Sequence, residues 1–128
     1  MTCVWTGLMQ GLTANDKKMI GTNSAVNFVN WLKQKNCRTT DVKWNGQNLT
    51  NPQLKENMEA IKELKINTIQ GGYYCSTFEP FIFLYVQLFT VNVFHNYMGH
   101  MMKYTNHKAK RTVHLTSSAS HLSFVKSV

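Results

Sequence analysis

Between Leu88 and Thr90 the side-chain pattern changes its period, and no other feature limits the fold of this chain so strongly. Before that point apolar residues recur at helical spacings. Beyond it, β-branched and aromatic residues gather in four short runs, residues 90–94, 100–104, 111–115 and 121–125, which read as strands, the first two joined by a turn over 96–99. Helices followed by a β meander make an α+β domain, with N-terminal helices packed on a small, mostly antiparallel C-terminal sheet. At 128 residues the chain has the length of one domain, residues 1–128, and its 43% hydrophobic residues are enough for a real core.

The helical part divides into four. Residues 3–12 read as a short buried helix that starts almost at the first residue. Asn23 or Ser24 caps a second helix through about Lys35, with Phe28, Val29, Trp31 and Leu32 on its apolar face. Residues 38–50 are polar and rich in Asn and Thr. Asn51-Pro52 then offers an N-cap followed by Pro at the first helical position, and Leu54, Met58, Ile61 and Leu64 make a third, amphipathic helix. Asn67 and Gly71-Gly72 mark a loop. After it, Ser76-Thr77-Phe78-Glu79 matches the S-x-x-E capping box, with Pro80 in the first turn of a fourth helix that is apolar nearly all round.

The charge is one-sided. Fourteen Lys plus Arg against six Asp plus Glu gives a net +8, and no carboxylate side chain follows Glu79. That balance suits nucleic acid, an anionic surface or an acidic partner. The three cysteines, Cys3, Cys37 and Cys75, are odd in number and lack CxxC spacing, and no signal-peptide pattern opens the sequence, so a reduced, cytoplasmic setting is expected. Residues 81–94 are too short and too polar for a membrane span. There is no Walker loop, GxGxxG or GxSxG, and His95, His100, His107, His114 and His121 lack the spacing of a closed zinc site, so neither cofactor nor metal is expected.

What remains is a thiol near one end and imidazoles near the other, an arrangement that lets a nucleophile and its base meet in space. Cys3 stands at the start of the first helix, where free backbone amides and the helix dipole favour a thiolate and can hold an oxyanion. His121 enters the last strand after a small polar turn, and alternation places His121, Ser123 and Val125 on one face, Leu122 and Phe124 on the other.

Taken in order, residues 3–12, the glycines of Gln70-Gly71-Gly72, residues 76–88, the strand 90–94, and Arg111-Thr112-Val113-His114-Leu115 leading to His121-Leu122-Ser123-Phe124 resemble the ovarian-tumour (OTU) family of cysteine proteases, most closely its compact viral members. The resemblance spans essentially the whole chain. It implies an OTU-like fold in which Cys3 is the nucleophile, His121 its general base, and backbone amides at and just before Cys3 the oxyanion donors. Glu79 matches a common helix residue and reads as a cap. The implied activity is hydrolysis of isopeptide bonds to ubiquitin or a ubiquitin-like protein. In a viral member, cleavage of the viral polyprotein is added and the site of action is the host cytoplasm. The family usually places an Asp three residues before the Cys; only Met1 and Thr2 precede Cys3, so the domain is expected to be truncated at its N-terminus or to work as a Cys-His dyad. The position two residues after the His, an acid or amide in the family, is Ser123. An acidic groove for ubiquitin's basic tail would have to come from Asp41, Glu56, Glu59 and Glu63.

Three other readings compete. Cys3 paired with His100, in Tyr97-Met98-Gly99-His100, resembles papain-like viral leader proteases. Lys103, Tyr104, His107, Lys108, Lys110 and Arg111 interleave base and aromatic as a nucleic-acid surface would. An inactive OTU-like module that binds ubiquitin without cutting it is the third.

Overall fold

Helix α5, Cys75–Phe89, organises the molecule. Phe81, Ile82, Phe83, Leu84, Tyr85 and Val86 are all buried, so consecutive residues meet protein on every side of the helix. A helix apolar all round is stable only when covered all round. Helices α3 (Ala25–Gln34) and α4 (Asn51–Glu63) pack against α5 on one side, and strands of the sheet pack against it on the other. The computed structural model describes residues 3–66, 75–118 and 121–128, with the backbone alone for 75–77. The loop read at Asn67 and Gly71-Gly72 and the turn residues 119–120 lie outside the described residues.

The fold is mixed α+β, as the period change implies, but the sheet is larger than four strands and is not a meander. Six strands run β2-β1-β4-β3-β5-β6, where β1 is Val42–Trp44, β2 Gln47–Asn48, β3 Asn92–Tyr97, β4 His100–Asn106, β5 Thr112–Ser117 and β6 Leu122–Ser127. Four pairings are antiparallel, and β3 with β5 is parallel. Asn92 ties three chain segments together at the parallel step. β4 ends beside the start of β3, and the Asn92 side chain accepts from Asn106 N (3.0 Å) and donates to Thr112 Oγ1 (3.3 Å), while Asn92 N donates to Arg111 O (3.0 Å). The link 107–111 is thereby drawn around the end of β3 and delivers β5 to its far side.

One face of the sheet is buried and the other open. Val93 and His95, Tyr104 and Asn106, and Val113 and Leu115 point into the core, while Asn96, Lys103 and Thr116 are exposed. On the open face Phe94 packs edge-on against His114, and Lys103 lies over its ring.

Several local expectations change. The polar stretch 38–50 holds the β1–β2 hairpin, turned by Asn45 and Gly46 at φ 48° and 83°, the paired positive φ of a type I′ turn. A further helix, α2 (Ala14–Ile20), buries no residue; its Thr13/Asp16 capping box and the left-handed Gly21 make it, and no apolar stripe announces it. The cap of α4 is Thr50 rather than Asn51, with Gln53 answering it. Ser76, read as the cap of this helix, lies inside α5, which already runs from Cys75; Pro80 also lies inside it, and Glu79 Oε2 accepts from the Tyr104 hydroxyl (2.7 Å).

Candidate active site

Helix α1, Cys3–Gln10, lies against the edge strand β6, and two glycines allow the approach. A Cβ on Gly7 would stand 2.7 Å from Leu122 Cδ2, and one on Gly11 would stand 2.6 Å from Val113 Cγ1 and 2.9 Å from the Tyr85 hydroxyl. All three distances are below van der Waals contact, so a methyl group at either place forces its neighbour to move. Val4, Trp5 and Leu8 bury the rest of the helix, with Trp5 edge-on to Phe81 at 5.0 Å. Its C-terminal end is tied down: Tyr85 donates to Leu8 O (2.7 Å) and Arg111 Nη1 donates to Gly11 O (2.6 Å). Burial pushes the Tyr85 phenol up, so it stays a neutral donor.

This packing brings together the two residues singled out in the sequence. Cys3, half-buried at the head of α1, and His121, exposed immediately before β6, line one cleft of about 440 Å³. Thr6, Gly7 and Gln10 complete its helix wall; Leu122, Ser123 and Phe124 complete the strand wall. Thr6 and Gln10 were not anticipated. Their spacing from Cys3, three and seven residues, puts them on its face of the helix, and a polar stripe on an otherwise apolar helix is the signal that marks them.

His121 is held by its hairpin. Ser118 N donates to His121 O (2.9 Å), Ser117 pairs with Leu122, and Met98 N donates to Ser117 O (3.0 Å). Beneath the hairpin, the fully buried His95 shares a 2.6 Å hydrogen bond with Ser117 Oγ through Nε2. Burial holds His95 neutral, pushed down to about 4.

The chemistry available is that of a thiol at a helix start and an imidazole that line the same cleft. The first N–H groups of an α-helix have no intrahelical acceptor, so those at the head of α1 can hold an oxyanion. The amide just before Cys3 lies outside the described residues. Among the described residues no carboxylate lines the cleft; Ser123 does.

Other residues fall elsewhere. His100 opens β4, which β3 and β5 separate from β6, about 14 Å across at the usual strand spacing, so the pairing of Cys3 with His100 does not form. Asp41 is engaged by Gln87 Nε2 (2.9 Å) and Lys108 (3.5 Å), which hold its carboxyl below the usual range, and neither it nor Glu56, Glu59 or Glu63 lines the Cys3 cleft. Within the basic run of the nucleic-acid reading, Arg111 binds Gly11 O, Ser127 Oγ and Asp16, Lys108 pairs with Asp41, and Lys103 covers Phe94. Burial pushes the Cys37 thiol up. Among the described residues no three His, Cys, Asp or Glu side chains gather as a metal site, and no helix is long and apolar enough to cross a membrane.

Compared with protein-family models, with curated proteins and with solved structures, the chain matches none.

Proposed function

We propose that the chain is a thiol-dependent hydrolase of OTU-like fold that cleaves isopeptide bonds to ubiquitin or a ubiquitin-like protein. The observation that carries the hydrolase reading is the shared cleft of Cys3 and His121, two residues from opposite ends of the chain. The choice of ubiquitin rests on the resemblance of the ordered segments from Cys3 to His121 to that family.

In this reading His121 takes the Cys3 thiol proton as the sulfur attacks the substrate carbonyl carbon. The oxyanion is held at the head of α1. His121 then gives its proton to the departing lysine amine, leaving a thioester on Cys3, and water activated by the now neutral His121 releases the carboxylate. Ser123, which lines the same cleft, stands two residues after His121, where the family has an acid or amide. Cleavage of a polyprotein uses the same steps on a peptide bond.

The test is incubation with a ubiquitin carrying a C-terminal electrophile, followed by intact mass measurement. A covalent adduct lost in both Cys3→Ala and His121→Ala supports the reading. Reaction of Cys3 with a small alkylating agent but not with ubiquitin would keep the thiol hydrolase and overturn the substrate. Ubiquitin binding without an adduct would indicate the inactive module.

A further inference from the structure

We infer that the open face of the sheet binds single-stranded nucleic acid, with Phe94 as the ring on which a base stacks and Lys43, Lys103 and Lys126 as the cations that meet the phosphates. The register sets Lys103, Phe94, His114 and Lys126 opposite one another on β4, β3, β5 and β6, one row about 14 Å long at the usual strand spacing. Lys43, paired with Thr105, stands on the same face one strand further out. Helices α1 and α5 pack on the other face, where Val113 and Tyr104 meet them.

The charge of this face has one sign. None of the six Asp and Glu residues lies on a strand, and the three strand lysines, Lys43, Lys103 and Lys126, are all exposed on this face. Opposite charges across strands stabilise a sheet, so a face that is merely solvated gains by carrying both signs. This one carries only cations, and the ion pairs among the described residues, Lys108 with Asp41 and Arg111 with Asp16, lie off it. The counter-charge must come from a partner. Of the basic run 103–111, Lys103 alone has its charge on this face; Lys108, Lys110 and Arg111 belong to the link between β4 and β5.

The aromatic ring decides which anion fits. Phe94 is half-buried in the middle of the row, with His114 edge-on at 5.5 Å and the Lys103 ammonium 5.2 Å from its ring centre. Base stacking on an aromatic ring outweighs an exposed ammonium–ring contact, so an incoming base displaces Lys103 and frees its ammonium for the adjoining phosphate. An acidic peptide meets the lysines but makes no use of the ring. An anionic membrane calls for a broad apolar face, and this row holds one apolar side chain. In a duplex the bases are stacked on each other, which leaves none for Phe94.

The test is fluorescence anisotropy of short labelled oligouridine and oligothymidine strands titrated with the full chain at neutral pH. The expected result is saturable binding that weakens about 20-fold between about 50 and 200 mM salt, as three phosphate contacts require. Lys126→Gln should lower the slope of log affinity against log salt by about 0.7, and Phe94→Leu should weaken binding about tenfold with the slope unchanged. Lys17→Gln, which removes a charge from α2, should change neither. Tighter binding of oligouridine assigns RNA, and of oligothymidine DNA. The proposal is overturned by absence of saturable binding at about 50 mM salt, by equal affinity for a duplex of the same length, or by equal losses in Lys126→Gln and Lys17→Gln. Tighter binding of polyglutamate or of phosphatidylserine vesicles overturns it in favour of an acidic protein or a membrane. Lys126 is exposed, so its variant decides the matter should Phe94→Leu not fold. Cys3→Ala should bind as the native chain does, so this proposal stands or falls apart from the hydrolase reading.

Discussion

His95 sets a pH dependence of stability that a single residue can reveal. Buried on the core side of β3, it is held neutral, pushed down to about 4 from an ordinary 6.5. Between those values the unfolded chain binds a proton at His95 that the folded chain refuses, so this stability is complete above about pH 6.5 and is lost as pH falls towards 4. The whole shift amounts to about 3 kcal/mol. Urea unfolding at pH 7 and pH 4.5 is expected to show a larger drop for the native chain than for His95→Gln. Equal drops would contradict the assignment. In the sequence His95 is one of five histidines and nothing distinguishes it, because its burial depends on which face of β3 meets α5. Cys3 and His121 were legible for another reason: each stands at an element boundary, a position that local pattern reveals. Glu79 shows the opposite failure. Its spacing from Ser76 fits a cap, but the Tyr104 hydroxyl 25 positions away claims it, and no local motif carries that information.

At the scale of elements, the site depends on how closely α1 lies on the sheet. Gly7 and Gly11 answer differently to a methyl group. At Gly7 the obstacle is one end of the Leu122 side chain, and removing a helix-interior glycine returns about 1 kcal/mol of propensity, so Gly7→Ala should change stability little. It should still widen the Cys3 cleft. A displacement of about 1 Å can cost about a hundredfold in rate, so thiol reactivity at Cys3 is expected to fall at least tenfold while the unfolding midpoint barely moves. At Gly11 the obstacles are the branched Val113 side chain and the bonded Tyr85 hydroxyl, and Gly11→Ala should destabilise the chain by about 1–3 kcal/mol. Arg111→Ala removes the bonds to Gly11 O and Ser127 Oγ and is expected to cost a similar 1–3 kcal/mol. Denaturant curves on the three variants check the order. The four strands after Thr90 could be read because alternation is local, whereas α2 has no apolar stripe and the β1–β2 hairpin hides in a polar stretch whose Asn45-Gly46 pair is the one clue.

At the scale of the whole molecule, the layout explains why the two ends of the chain share a site. The link 107–111 carries β5 past β3 to the far edge, β6 folds back beside it, and α1 closes over β6. A meander in chain order would have placed β5 beside β4, and the Asn92 bonds that tie the ends of β3, β4 and β5 together at this step are invisible to residue periodicity. The α+β class follows from the order of helical and extended patterns; the sheet order does not. The central claim is that Cys3 and His121 form one chemical unit in the resulting cleft. The most direct measurement is the rate of chloroacetamide alkylation at each cysteine, followed by peptide mass at neutral pH in the native chain and in His121→Gln. Cys37, whose thiol burial pushes up, serves as the internal reference. The account predicts that Cys3 reacts at least tenfold faster than Cys37, and that His121→Gln slows Cys3 by a similar factor while leaving Cys37 unchanged. Alkylation of Cys3 at the same rate with and without His121 would contradict it.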